Sequence, residues 1–253
     1  MKLNIYPHSP KLHLLVTAIL LNCHPGQAQL APKPPPEVPP WETSAAAGLT
    51  LTRGNSDTLT AVASLTTSRK DRINEWHFGL EGAYGENSGV KNNESVHGFG
   101  QYNHLYTDRF YLFGRADALY DGIAKIYYRL TLTAGPGYYL IKNDLTRLSV
   151  EASPGVAFEH LAGKSSDVYA VIRFAERFEH KLNEKSKLWE SIEFLPKLDN
   201  WGDYVANGEV GLETSLTEKF SLRPYIQDTY RSVPATGKKH NDLKLVVALA
   251  YKF

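Results

Sequence analysis

The chain has 253 residues, with 28 Lys and Arg against 27 Asp and Glu, and a single cysteine. So even a charge balance excludes a nucleic-acid partner, which would demand a basic face. One cysteine excludes a disulfide framework within the chain, so the fold must be held by other means.

Residues 1–28 read as an export signal peptide. Lys2 and Lys11 flank a charged start, LHLLVTAILL (Leu12 to Leu21) is a short apolar run, and Gly26-Gln27-Ala28 offers a small-x-small cleavage site. The run is too short to span a bilayer, which takes about 20 helical residues. Cys23 follows Leu20-Leu21-Asn22, and a lipoprotein signal wants a small residue where Asn22 stands. Cleavage after Ala28 leaves a mature chain without cysteine. Residues 29–40 then form a proline-rich periplasmic lead, since Ala31 to Pro40 (APKPPPEVPP) stays extended and cannot pair in a sheet. Residues 41–253 make one domain.

From Trp41 onward the apolar period is two, the strand period, and no segment sustains 3.6. Trp76, Phe78, Leu80, Gly82 and Tyr84 alternate with His77, Gly79, Glu81 and Ala83. Phe110, Leu112, Gly114, Ala116, Ala118 and Tyr120 alternate with Tyr111, Phe113, Arg115, Asp117 and Leu119. LSVEASPGVAFEH, YVANGEVGLETSL and FSLRPYIQDTY repeat the arrangement, with Glu151, Asn207, Glu209, Glu213, Arg223 and Gln227 on polar faces. Between the strands, short polar turns near Lys70, Thr107, Lys142, Asn183 and Thr217 interleave with connections rich in Gly, Asn and Ser near Gly54, Gly85, Asp121, Ala162, Leu198 and Ser232. Eleven connections imply about twelve strands.

Alternation alone also suits a soluble sandwich. Three details favour the inverse arrangement, apolar face out. Aromatics (Trp76, Tyr84, Phe110, Tyr120, Tyr128, Tyr138, Tyr204, Phe220, Tyr230, Tyr251) sit near strand ends, where a membrane barrel has its girdles. The polar faces carry mid-strand charges, which suit a wet lumen. Short turns alternate with longer loops, as in barrels whose turns face the periplasm. The expected fold is therefore an all-β, antiparallel transmembrane barrel of about twelve strands in meander order. The last strand, LKLVVALAYKF, has Leu249, Tyr251 and Phe253 at alternate positions and resembles the assembly signal of bacterial outer-membrane barrels. Such a strand closes against the first and leaves no edge bare in lipid.

The first hairpin, WETSAAAGLTLTRGNSDTLTAVASL (Trp41 to Leu65), resembles the YdiY-like family of salt-induced outer-membrane proteins, whose function is unknown. Tyr120-Asp121-Gly122 with Tyr128-Arg129, Gly135-Pro136-Gly137-Tyr138 and the YKF end fit the same resemblance, which covers Trp41 to Phe253. It implies location and architecture, with a link to salt or osmotic stress, and carries no catalytic residues over.

Gly54-Asn55-Ser56-Asp57 is accounted for by a hairpin turn, whose geometry Asn and Gly tolerate. Calcium at Asn55 and Asp57 would want six to eight ligands. If the apolar faces meet lipid, Glu81, Arg115, Asp117, Arg129, Glu151, Arg173, Arg177, Glu209, Glu213, Arg223 and Lys244 point inward. Confined charges must be paired or hydrated. They therefore form either a salt-bridge network that braces or plugs the barrel, or a pore lining that selects solutes. His77, His97, His104, His160, His180 and His240 supply no metal-ligand spacing, and no G-x-S-x-G elbow occurs. His77 and His97 stand where adjacent strands would bring them together, and Asp117 with Asp121 is a thin case for an acidic pair.

The expectation is a narrow passive conduit for ions or small polar solutes in the bacterial outer membrane, without cofactor or metal. Its partners are membrane lipids and the barrel-assembly machinery. A closed structural or loop-presenting barrel is the alternative, and a lipid hydrolase or acyltransferase the third.

Overall fold

The computed structural model describes residues 40–53, 58–87, 90–235 and 237–253. The export signal, the lead through residue 39 and the cluster at residues 54–57 lie outside the described residues. The rest is strand and turn. The elements are β1 (Glu42–Arg53), β2 (Thr58–Lys70), β3 (Asn74–Asn87), β4 (Val90–Leu105), β5 (Phe110–Asp121), β6 (Ile126–Lys142), β7 (Thr146–Leu161), β8 (Asp167–Lys181), β9 (Ser186–Pro196), β10 (Tyr204–Ser215), β11 (Phe220–Arg231) and β12 (Asn241–Lys252).

Each strand pairs antiparallel with its sequence neighbours, and β12 pairs with β1, so the sheet closes into a twelve-stranded barrel. Ser44 opposes Lys252 and Arg53 opposes Leu243, so the closing seam runs along β1 from Ser44 to its end. Closure satisfies the N–H and C=O groups that an edge strand would leave unpaired.

One barrel end is built from five turns of a common design. In each, a side-chain oxygen accepts from the backbone N–H groups two and three residues on. Asp71 Oδ1 accepts from Ile73 and Asn74, and Thr107 Oγ1 from Arg109 and Phe110. Asn143 serves Leu145 and Thr146, Asn183 serves Lys185 and Ser186, and Thr217 serves Lys219 and Phe220. Asp, Asn and Thr are the residues whose short polar side chains reach their own backbone in this way. The opposite, loop end is less regular. Its connections are shorter than the composition suggests, because GENSGVKNN mostly continues β3 to Asn87 and starts β4 at Val90, with a register shift at Gly85/Glu86.

The two faces differ as the alternation requires. Leu49, Leu65, Leu80, Leu112, Leu132, Ile192, Val210, Leu222, Leu245, Val247 and Leu249 point outward and are exposed. At the turn end, Trp41, Phe78, Trp76, Tyr102, His104, Tyr106 and Phe110 form an unbroken run of ring contacts around the outside. At the loop end Phe194, Tyr204, Tyr230 and His240 do the same. An apolar band between two aromatic girdles is the outer surface of a barrel that sits in lipid. Three acids break the band: Glu176 and Glu190, close together on β8 and β9, and Asp228 on β11, each on the parity opposite to an inward neighbour.

The turn at Asp71 yields a stability test. Chiefly the Ile73 N–H, then Asn74, hold this carboxylate below the usual range. A depressed folded-state pKa contributes stability that is present above the unfolded pKa and is lost as pH falls through the folded one. Asp71→Asn keeps the accepting oxygen and drops the charge. In guanidinium unfolding of the refolded barrel, the gap between wild type and Asp71→Asn is expected to narrow as pH is lowered below 4, by a small amount because solvent screens this exposed carboxylate.

The lumen as candidate functional site

The register points Glu81, Arg115, Asp117, Arg129, Glu151, Arg173, Arg177, Glu209, Glu213, Arg223 and Lys244 to the inside of the barrel. A belt of polar bonds links many of them at mid-height. Thr229 donates to Asn207 Oδ1 (3.0 Å), whose amide donates to Glu193 (3.2 Å). Arg173 bridges Glu193 (2.6 Å) and Glu151 (2.7 Å). Glu151 also accepts from Tyr111 Oη (3.0 Å) and Gln101 Nε2 (2.7 Å), and Gln101 accepts from Arg115 (3.2 Å). Arg115 grips both oxygens of Asp117, and His97 Nε2 lies 3.3 Å from the same carboxylate. Charge-assisted bonds of this kind are the strong ones, and the desolvation of the ions offsets much of their gain.

Among the described residues, four bonds reach beyond neighbouring strands and brace the lumen: Gln101 and Tyr111 to Glu151, Tyr139 Oη to Glu75 (2.6 Å), and Tyr225 Oη to Glu81 (3.4 Å). The Tyr225 bridge passes over the wall formed by β12, β1 and β2. That wall is lined by small apolar side chains, Ala46, Val246, Ala248 and Ala250, against which Tyr225 packs. Trp189 donates to Glu209 (2.7 Å), and Gln227 donates to the other oxygen of the same carboxylate (3.4 Å).

Large inward rings are kept against the wall by glycines directly opposite on the next strand. Phe99 faces Gly79, Tyr111 faces Gly137, and Trp189 faces Gly211. A Cβ at these glycines would come within 2.3, 2.3 and 2.2 Å of the rings. The missing side chain is therefore what lets each ring lie flat, as glycine under a cross-strand aromatic does elsewhere in sheets. At the loop end, a cavity of about 110 Å³ is lined by Arg129, Glu159, Lys197, Asp203 and Arg231 among others. Arg129 pairs there with Glu159, and Lys197 with Asp203 (2.7 Å).

Other sequence expectations fare differently. His77 and His97 both point inward but do not meet, since His77 opposes Gln101 and His97 opposes Glu81. The two lie four residues apart along the shared register. Asp121 caps the turn after β5 by accepting from Ile123 and Ala124 and forms no pair with Asp117. Glu75, Glu193 and Trp189 were not singled out from the sequence, although all three belong to the lumen. Glu75 and Glu193 stand next to strongly apolar outward residues, and their parity with Glu81 and with Ser191 was the available signal.

No curated protein sequence matches the chain. Among solved structures, the NanC porin aligns with a TM-score of 0.58 at 9% identity, over 83% of this chain and 100% of that one. The COG4313 outer membrane channel from Pseudomonas putida F1 aligns at 0.51 and 10%, over 85% and 97%. The translocator domain of the autotransporter NalP from Neisseria meningitidis aligns at 0.50 and 13%, over 84% and 88%. At such identities the likeness is one of fold, and one fold hosts several functions. A family model described as "Protein of unknown function, DUF481" matches residues 45–253, so the chain belongs to the DUF481 family.

Proposed function

We propose that this chain spans the bacterial outer membrane and works as a narrow passive conduit for ions or small polar solutes. The observation that carries the reading is exposure on the inner face. The side chains of Arg177, His97 and Lys187 are 62%, 43% and 40% exposed although all three point into a closed barrel. His97 lies near mid-height and Arg177 and Lys187 near the turn end, so space for water extends from the mouth into the middle. A twelve-stranded barrel lies between the eight strands that side chains fill and the sixteen that leave a wide channel. The three glycine-seated rings support the same reading, since bulky inward groups lie along the wall instead of across the bore.

In this account the turn end faces the periplasm and the loop end faces outside. Residues 1–28 direct export, Leu249, Tyr251 and Phe253 guide the barrel-assembly machinery, and a role under salt or osmotic stress follows the family resemblance. The cross-lumen bridges favour a second reading, a braced and closed barrel, and current distinguishes the two.

Refolded protein in a planar bilayer is expected to give stable discrete current steps. Silence from barrels shown by circular dichroism to be folded overturns the conduit. Gly211→Val should push the Trp189 ring off the wall and lower the step size. Arg115→Ala should shift the cation-to-anion ratio by freeing Asp117 from its guanidinium, a change read from the reversal potential in a salt gradient.

A further inference from the structure

The charges inside the barrel are not evenly spread along its axis. In the turn-end half, Lys70, Lys142, Arg147, Arg177, Lys187 and Arg223 point inward, and the carboxylates on the same face are Glu42, Glu75, Glu179 and Glu213. The cations outnumber the carboxylates there. Lys187 and Arg223 share Glu213 at 3.5 and 3.0 Å, and Arg177 holds Glu179 at 3.0 Å. Glu75 is taken up by the Tyr139 hydroxyl and the Asn103 amide.

That leaves Lys70, Lys142 and Arg147 without an ion pair among the described residues, and Lys142 rests over the Tyr139 ring at 4.4 Å. Lys70 feels Glu75 and Glu179 first and Arg147 and Arg177 after them, Glu75 also feels Lys142, and His77 stands within reach of Lys70 and Arg177. Arg147 and Arg177 are diagonal neighbours on the paired strands β7 and β8, with Glu179 opposite Arg147, and Lys70 on β2 faces them from across the barrel. Like charges held together in a confined space are costly unless something neutralises them. A singly charged anion meets one or two of them, whereas a multivalent oxyanion spans several, and guanidinium forks match its oxygens. Deeper in the lumen the sign reverses. Glu81 and Glu209 lie near one another and make no ion pair among the described residues.

We infer that the turn-end mouth of the lumen is a binding site for a multivalent oxyanion of the inorganic diphosphate kind, held by Lys70, Arg147 and Arg177, and that its occupant obstructs the bore. The anion enters from the turn side, is held by the cationic ring, and is stopped by the carboxyls beyond. The binding half of the inference stands on the cluster alone, and the obstruction half rests on the conduit reading.

The test is calorimetry of folded barrel in detergent micelles with inorganic diphosphate, together with current recorded while diphosphate is added to one side of a bilayer. Wild type is expected to bind one diphosphate per barrel, more weakly as salt rises, and Lys70→Ala and Arg177→Ala to bind about tenfold more weakly. Glu176→Gln, on the outer wall, should bind as wild type. Diphosphate should lower the current from one side only, and less in Arg177→Ala. Folded wild type that binds no diphosphate, or variants that bind it as tightly as wild type, overturn the site. A barrel that conducts without binding removes the site and leaves the conduit. A barrel that binds through Lys70 and Arg177 but passes no current removes the conduit and leaves the site.

Discussion

The structure depends on the hydrogen-bonded seam between β1 and β12. Until it closes, every second residue from Ser44 to Arg53 and from Leu243 to Lys252 presents an unpaired amide and carbonyl. Those groups have no partner in a hydrocarbon medium, where each unsatisfied one costs several kcal/mol. Once the seam forms, period-two alternation leaves every strand one choice of face. Leu245, Val247 and Leu249 must then point out, and Val246, Ala248 and Ala250 in. The small inward residues at the seam matter as well, since bulky groups there would fill the sector that Tyr225 crosses to reach Glu81.

Closure also creates the chemistry of the interior. Residues far apart in sequence become neighbours across the bore, as with Tyr139 and Glu75, or Tyr225 and Glu81. The mid-height belt turns isolated charges into a connected network that stiffens the wall. The rings of Phe99, Tyr111 and Trp189, each seated on an opposing glycine, add bulk without crossing the bore. What is left over is charge: positive at the turn-end mouth, with carboxyls beyond it. An interior of this kind treats solutes differently according to the side from which they enter.

Much of this was legible in the sequence because β3 and β5 keep one parity without interruption, Trp76 to Tyr84 and Phe110 to Tyr120. The five tight turns were legible too, since each carries an Asp, Asn or Thr at the position that bonds two backbone amides. The strand KLWESIEFLP was not. Trp189 points in and Glu190 out, the reverse of the expected sorting, and the tryptophan is accommodated inside only because Gly211 lies opposite on β10. That reason is twenty-two residues away and appears only after pairing. The loop at GENSGVKNN misled by composition, since polar residues on a strand that outruns the apolar band read as a loop. The convergence of Lys70, Arg147 and Arg177 was hidden for the same reason as the belt: it exists only in the closed cylinder.

The claim that a water path runs into and along the lumen is tested most directly by cysteine labelling. The only native cysteine is Cys23, so a barrel lacking residues 1–28 has no thiol of its own. Single cysteines placed at His97, at Arg177 and, on the outer face, at Leu245 would be exposed to a charged, membrane-impermeant thiol reagent in lipid vesicles. The account predicts that His97→Cys and Arg177→Cys react and that Leu245→Cys does not. Protection of His97→Cys in a folded barrel, with Arg177→Cys alone labelled, would show a lumen wet only at its mouth and contradict the account.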